Sequence, residues 1–306
     1  MAGRRRRRLM RWCARWFDPT SRWWRANSSI AGLTKSTIAK RPDSRDESPA
    51  NMKISVLTVC WNSAATIRHT LDSFFAQDHE DKELIVVDGA STDETLTIVR
   101  SYAGQGLQII SEPDRGMYDA LNKGLALCTG EAIGALNADD VFHDASVLGK
   151  ISEALAESDI VHGHLDFVEN HESKRVVRRW RAEPRPHGGF RSGWMPAHPT
   201  FYVRRAVAEQ IGPFDLSLKV SSDYDWMLRA VELHGFRIAT IEQVLVDMMI
   251  GGASTRSFRS HLGHNLEALR SRRRWLGSGP VDYALIAKPA RKLGQFLSKQ
   301  PIKSKG

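Results

Sequence analysis

Residues 82–103 read KELIVVDGASTDETLTIVRSYA. Its first seven residues form an apolar run rich in β-branched side chains that stops at Asp88-Gly89, a turn pair. The next twelve place apolar residues at helical spacing behind Ser91 or Thr92, either of which can cap a helix. The stretch therefore predicts one strand followed by one helix. The same pattern lies on both sides of it. KISVLTVCWN (53–62) is a β-rich run, and ATIRHTLDSFFAQ (65–77) carries Ile67, Leu71, Phe74 and Phe75 at helical spacing. LQIISEPD (107–114), MYDALNKGLALC (117–128) and EAIGALNADD (131–140) continue as strand, helix and strand. Strands alternating with helices at this pitch predict βαβ units, hence an α/β fold with a doubly wound parallel sheet.

Such sheets bind ligands outside the carboxyl ends of their strands. The residues closing the four predicted strands are Trp61-Asn62, Asp88, Asp114 and Asn137-Ala138-Asp139-Asp140, so these are expected to meet in one crevice. No GxGxxG follows the first strand and no GxxxxGK[ST] occurs in the chain, so backbone amides of those kinds are not there to cradle phosphates. A divalent cation on Asp139 offers another way to neutralise a diphosphate. Oxygen ligands with room left for water and phosphate suit Mg²⁺ or Mn²⁺. On residue type alone, Asp139 and Asp140 are equally readable as turn formers that cap the next helix.

Beyond residue 144 the pattern loosens. A helix is expected near 145–157, and strands in SDIVHGHLDFV (158–168) and RVVRRWRA (175–182). A Pro/Gly-rich loop then leads to TFYVRRAVAEQIGPFD (200–215). In VSSDYDWMLRAVELHG (220–235), Tyr224, Met227, Leu228 and Val231 share one helical face, and Asp223 stands at the helix start. The run RIATIEQVLVDMMIGGAST (237–255) is read as a strand and a glycine-rich turn that close the core.

At 306 residues the chain can bury a sizeable core, and its net charge of +9 is unevenly spread. Residues 1–41 carry twelve Lys/Arg against Asp18 alone, and residues 256–306 twelve against Glu267 and Asp282; the stretch between holds 20 against 32 Asp/Glu. An acidic body thus lies between two basic ends. The first 50 residues, with five consecutive arginines and Trp12, Trp16, Trp23 and Trp24 among further arginines, suit an anionic membrane surface. The same composition also describes a solvated basic tail, an organelle transit peptide or a nucleic-acid arm. Arg11 and Arg15 break what would be the apolar region of a signal peptide, so export is not expected. Cys13, Cys60 and Cys128 lack metal-ligand spacing and cannot all pair, which points to a reducing compartment. No stretch approaches 18 uninterrupted apolar residues, so no transmembrane helix is expected.

Taken in order, DGASTDET, EPDRGMYDALNKG, GEAIGALNADD, HPTFYVRRAVAEQIGPFD and SSDYDWMLRA resemble the family 2 glycosyltransferases of GT-A fold, over roughly residues 53–256. They are most similar to bacterial enzymes that build exopolysaccharide, capsule and lipopolysaccharide repeat units. The resemblance implies a Rossmann-like, mostly parallel sheet flanked by helices, with an irregular acceptor-side half. It divides the chain into an appendage and linker (1–50), a GT-A domain (51–256) and a basic C-terminal helical extension (257–306). Position by position it implies that Thr58, Asp88 and Asp114 contact the nucleotide and that Asp139 is the last carboxylate of the DxD motif, holding the metal. Asn137 stands where many members have the first Asp, so it and Asp140 are left as weaker ligands. Asp223 matches the catalytic base, with Ser222 where Glu often precedes it. Gly251, Gly252, Ser254 and Arg256 fall in a loop near the diphosphate, equally readable as a turn. His198 falls near the acceptor, equally readable as structural. Trp194 is read as a sugar platform or, more simply, a buried ring beside proline.

The implied activity is inverting transfer of a sugar, UDP-linked first, with GDP- or dTDP-linked donors as alternatives, to a saccharide on a polyprenyl carrier. Such an enzyme is expected in the cytoplasm, peripheral on the inner membrane face, with Mn²⁺ or Mg²⁺ and without nucleic acid. Two rivals share features of the sequence. A nucleotidyltransferase needs a Gly-rich basic signature after the first strand, which TVCWNSAAT lacks. A nucleic-acid binder would use the arginine-rich ends for phosphate contact.

Overall fold

The computed structural model describes residues 52–104, 106–250 and 258–277, and the first six β/α elements follow the sequence pattern. Strand β1 (Ile54–Cys60) leads to α1 (Ile67–Phe75), β2 (Lys82–Asp88) to α2 (Thr95–Arg100), and β3 (Leu107–Ser111) to α3 (Met117–Leu125). β1 and β2 are buried along almost their whole length, as strands covered by helices on both faces must be. β3 holds only half-buried and exposed residues because it is an edge. β1 pairs in parallel with β2 and with β4 (Ala132–Ala135), and β2 with β3. Gly134 keeps β4 free of a side chain where the ring of Tyr202 lies; a Cβ there would sit 2.2 Å from its Cε1.

The run 131–140 is not one strand. It breaks after Ala135, and a separate strand β5 (Asp140–Phe142) begins at Asp140 and pairs antiparallel with β9 (Ile238–Met249). Between them come α4 (Val147–Glu157), β6 (Ile160–Val168), β7 (Val176–Trp180), β8 (Tyr202–Arg204), α5 (Arg205–Ile211) and α6 (Ser222–Glu232). Among the described residues the nine strands form one sheet in the order β3-β2-β1-β4-β8-β6-β9-β5, with β7 beside β6. Antiparallel β8 joins the regular half to the irregular one, and β6 and β9 run parallel to each other.

Two apolar layers cover the sheet. One is built around Ile54, Leu71, Phe74, Leu148 and Val161, the other around Leu57, Ile85, Leu121, Phe201, Met227 and Leu228. The face expected for α6 is the buried one: Tyr224, Met227, Leu228 and Val231 all lie in the core. The last described helix, α7 (Phe258–Leu276), packs on α6 and contributes Ala268 to the second layer. No described helix is long and apolar enough to cross a membrane. The Arg/Trp-rich segment 1–50, the loop holding Gly251, Gly252, Ser254 and Arg256, and the C-terminal stretch from 278 lie outside the described residues.

Candidate functional site

The carboxyl ends of β1, β2 and β3 are tied together by one carboxylate. Asp88 is fully buried and accepts hydrogen bonds from the Ser91 amide (3.1 Å), the Ser91 hydroxyl and the Ser111 hydroxyl (2.7 Å). Cys60 at the end of β1 also reaches it, at 3.8 Å, and burial together with the Asp88 charge pushes that thiol up to about 12. Asp88 thus shapes the edge on which a ligand would sit. Asn62 and Ala90 take left-handed backbone angles (φ 49° and 62°), a conformation non-glycine residues seldom adopt and one that concentrates at functional loops. Asn62 is locked there by accepting the Thr92 amide on Oδ1 (2.9 Å) while its own amide donates to Ser91 Oγ (2.8 Å).

Asp114 is half-buried beside this loop, its Oδ1 accepting the Gly116 amide at 2.7 Å. A Cβ on Gly89 would stand 2.6 Å from Asp114 Oδ2 and 3.5 Å from the Trp61 ring, so Gly89, Asp114 and Trp61 share one corner of the edge. Trp61 is 67% exposed there. A bulky ring left in water directly after a buried strand is the local signal that marks it. Thr58, expected to contact the nucleotide, turns its side chain inward. Its side chain is fully buried, and its hydroxyl donates to the Leu136 carbonyl at 2.8 Å, holding the segment before Asp139 alongside β1.

Asp139 is half-buried, and no described residue other than itself donates a hydrogen bond to its carboxylate. Burial raises that carboxyl above the ordinary range, with His171 acting in the opposite sense. Its carbonyl is held by the His171 ring at 2.9 Å. Asp140, expected as an assisting ligand, faces inward instead. It is fully buried, Oδ2 accepts the Asn137 side-chain amide at 2.7 Å, its backbone carbonyl accepts the Thr70 hydroxyl, and Oδ1 has no partner. Asp139 lies in the turn closed by the Asp140 N–H on the Asn137 carbonyl (3.0 Å), whereas Asp140 opens β5, so the two neighbouring aspartates are presented differently. Asn137 uses its N–H on Asp140, which leaves Oδ1 as the amide's ligand atom. Among the described residues no three His, Cys, Asp or Glu side chains converge on a metal position. One unpaired carboxylate with an amide oxygen beside it fits Mg²⁺ or Mn²⁺, which fill the rest of their shell with water and phosphate oxygens.

Asp223 is brought to the same edge by Tyr118. This tyrosine lies on α3, four residues after Asp114, and its hydroxyl donates to Asp223 Oδ1 at 3.0 Å across 105 residues of chain. Burial and the Asp223 charge raise the phenol far above its usual range, so it stays a proton donor to that carboxylate. Asp223 is half-exposed in the first turn of α6, where the helix dipole favours negative charge. Oδ2 takes no hydrogen bond from a described residue. His198 is held below its usual range by burial, countered by Asp223, and meets Phe214 edge-on at 6.1 Å. It therefore stands on the Asp223 side of the site. Trp194 is buried with its indole N–H on the Glu183 carbonyl (3.0 Å), which rules out a sugar platform. No sequence pattern picks out Tyr118, because its partner is distant in the chain.

The chain is similar to known proteins in sequence and in fold. A model of the family described as "Glycosyl transferase family 2" matches residues 55–212. A PGL/p-HBAD biosynthesis glycosyltransferase of Mycobacterium bovis (strain BCG / Pasteur 1173P2) is 33% identical over 186 residues, covering 57% of this chain and 68% of the relative. Among solved structures, S. aureus TarS 1–349 in complex with UDP-GlcNAc superposes with a TM-score of 0.57 at 20% identity, over 83% of this chain and 76% of TarS. The mannosyltransferase PcManGT from Pyrobaculum calidifontis, in complex with GDP-Man and Mn²⁺, gives a TM-score of 0.55 at 20% identity, over 95% and 87% of the two chains. These two likenesses establish a GT-A type fold.

Proposed function

The chain belongs to glycosyl transferase family 2, and from that premise we propose that it moves a sugar from a nucleotide-diphosphate donor to a saccharide hydroxyl with inversion at the anomeric carbon. The observation that carries this reading is Asp223. Its Oδ1 is held by the Tyr118 hydroxyl, and Oδ2 is left to take the proton of an incoming hydroxyl. The base is preorganised by a donor that cannot compete for its proton, since the Tyr118 phenol is shifted upward. As the acceptor oxygen attacks the anomeric carbon, the bond to the diphosphate breaks and negative charge passes to the leaving oxygen. Asp139, assisted by Asn137, is the group placed to hold a divalent cation, which when bound supplies Lewis-acid stabilisation of that charge. A base separate from the leaving-group side leaves no nucleophile for a covalent intermediate, and this supports single displacement.

Trp61 is proposed as the platform for the base of the nucleotide, with Asp114 and the loop built on Asp88 around it. Trp61→Ala is expected to weaken nucleotide affinity by about 1–3 kcal/mol, the usual worth of a base stacked on an aromatic ring. Calorimetric titration checks this, and an unchanged Kd removes Trp61 from the site. UDP-sugars are the favoured donors and GDP-sugars the next, in line with what the two solved neighbours hold. A lipid-linked saccharide acceptor, in cell-surface polysaccharide or glycolipid synthesis at the inner membrane face, fits the relative's role and the basic ends of the chain.

The stereochemistry is the test. With an α-linked donor such as UDP-GlcNAc or GDP-mannose and water as acceptor, proton NMR of the first-formed free sugar is expected to show the β anomer before mutarotation. First appearance of the α anomer contradicts single displacement.

A further inference from the structure

Glu267 lies on α7, beyond the stretch matched by the family model, and its carboxylate accepts three consecutive backbone N–H groups. Oε1 takes that of Lys219, and Oε2 those of Val220 and Ser221, each at 3.0 Å. These donors stand at the mouth of α6, whose second residue is Asp223. A helix start leaves several amides without partners inside the helix, and the side chain before it usually supplies the remedy. Ser221 holds that place but makes no capping bond. Its hydroxyl is turned to Nδ1 and the carbonyl of His264 on α7 instead. Glu267 instead fixes the three residues that lead into the helix, from a position 46 residues beyond Ser221.

Two more contacts clamp the next turn. The Trp275 indole donates to Asp225 Oδ1 at 2.8 Å, and the Arg272 guanidinium donates to the Tyr224 hydroxyl at 2.7 Å. Residues 219–221, 224 and 225 are therefore each tied to α7, and Asp223 sits inside that bracket. We infer that Glu267 is a positioning residue for Asp223, so that α7 is part of the transfer apparatus. The inference rests on Asp223 being the base. The carboxylate fixes the start of α6, and with it the direction in which Asp223 presents Oδ2; a displacement of about 1 Å in such a group costs on the order of 10²-fold in rate.

The site holds three donors and needs an acceptor, so shape alone cannot satisfy it. Glu267→Gln keeps the size but turns an NH₂ toward amide N–H groups, and it is expected to behave like Glu267→Ala, while Glu267→Asp recovers part of the function. In the full chain, both variants are expected to speed amide exchange across 219–225 by about tenfold or more. Donor turnover, followed as UDP release from UDP-GlcNAc or GDP release from GDP-mannose, is expected to fall about 10–100-fold in kcat with KM for the donor unchanged. Unaltered exchange in Glu267→Gln overturns the inference whatever the donor. Loss of turnover in Asp223→Asn with full turnover in Glu267→Gln overturns the positioning role and leaves the base in place; full turnover in Asp223→Asn refutes the base itself. Should the Glu267 variants not fold, Trp275→Phe keeps an aromatic six-membered ring and removes the five-membered ring that carries the N–H to Asp225. A lowered kcat at unchanged melting temperature then supports the bracket, and an unchanged kcat refutes it.

Discussion

Replacing Asp223 by asparagine is expected to lower turnover by about 10²–10⁴-fold, the usual contribution of a general base, while nucleotide affinity stays where it was. Asparagine has the same shape and still offers an oxygen to the Tyr118 hydroxyl, which now meets Oδ1 at 3.0 Å. What is lost is the proton acceptor. Trp61, Asp114 and the Asp88 loop, the proposed donor side, share no hydrogen bond with Asp223, so binding and turnover should separate. Measuring Kd by calorimetry and kcat by nucleotide release in the same preparation decides it. A parallel loss of both assigns Asp223 to donor binding, and no loss of either removes it from the chemistry.

The second large effect is on stability. Asp225 and Arg229 form a buried pair one turn apart on α6, with Nε to Oδ2 at 2.8 Å and both side chains almost wholly excluded from water. Arg229 also donates to the carbonyls of Ile211 and Pro213, so it ties α6 to the end of α5. Arg229→Met keeps the apolar stem and strands the Asp225 charge, whose remaining partner is the Trp275 indole. Breaking a buried pair from one side costs about 3–5 kcal/mol, because an uncompensated charge is left inside. In a domain of this size that corresponds to a drop in Tm on the order of 10 °C. A shift below about 1 kcal/mol in denaturant unfolding contradicts it.

Much of this architecture is legible in the chain. β1 and β2 read as strands because both faces are covered, which turns alternation into an unbroken apolar run between turn residues. α6 reads as a helix because its buried residues recur at helical spacing. β5 and β8 do not read at all. Each is three residues long, and β5 starts on an aspartate, so neither offers a period to detect. The pair Asp139-Asp140 reads as a chemical unit, whereas the fold leaves Asp139 half-buried in a turn and buries Asp140 at the start of β5. The side chains of Asp88 and Thr58, both expected at the nucleotide, are engaged in holding strand ends together. Tyr118 with Asp223, and Glu267 with the start of α6, are contacts across 105 and 46 residues that only the folded chain reveals.

The most direct measurement is calorimetric titration of the full chain with UDP and with GDP, in Mn²⁺ and in EDTA, for the wild type and for Asp139→Ala. The expected result is binding of one nucleotide that requires Mn²⁺ and disappears with the Asp139 carboxylate, which accepts no hydrogen bond from another described residue. Binding that is equally tight in EDTA, or that survives Asp139→Ala unchanged in Mn²⁺, contradicts the metal assignment; no binding of either nucleotide under any of these conditions contradicts the donor site itself.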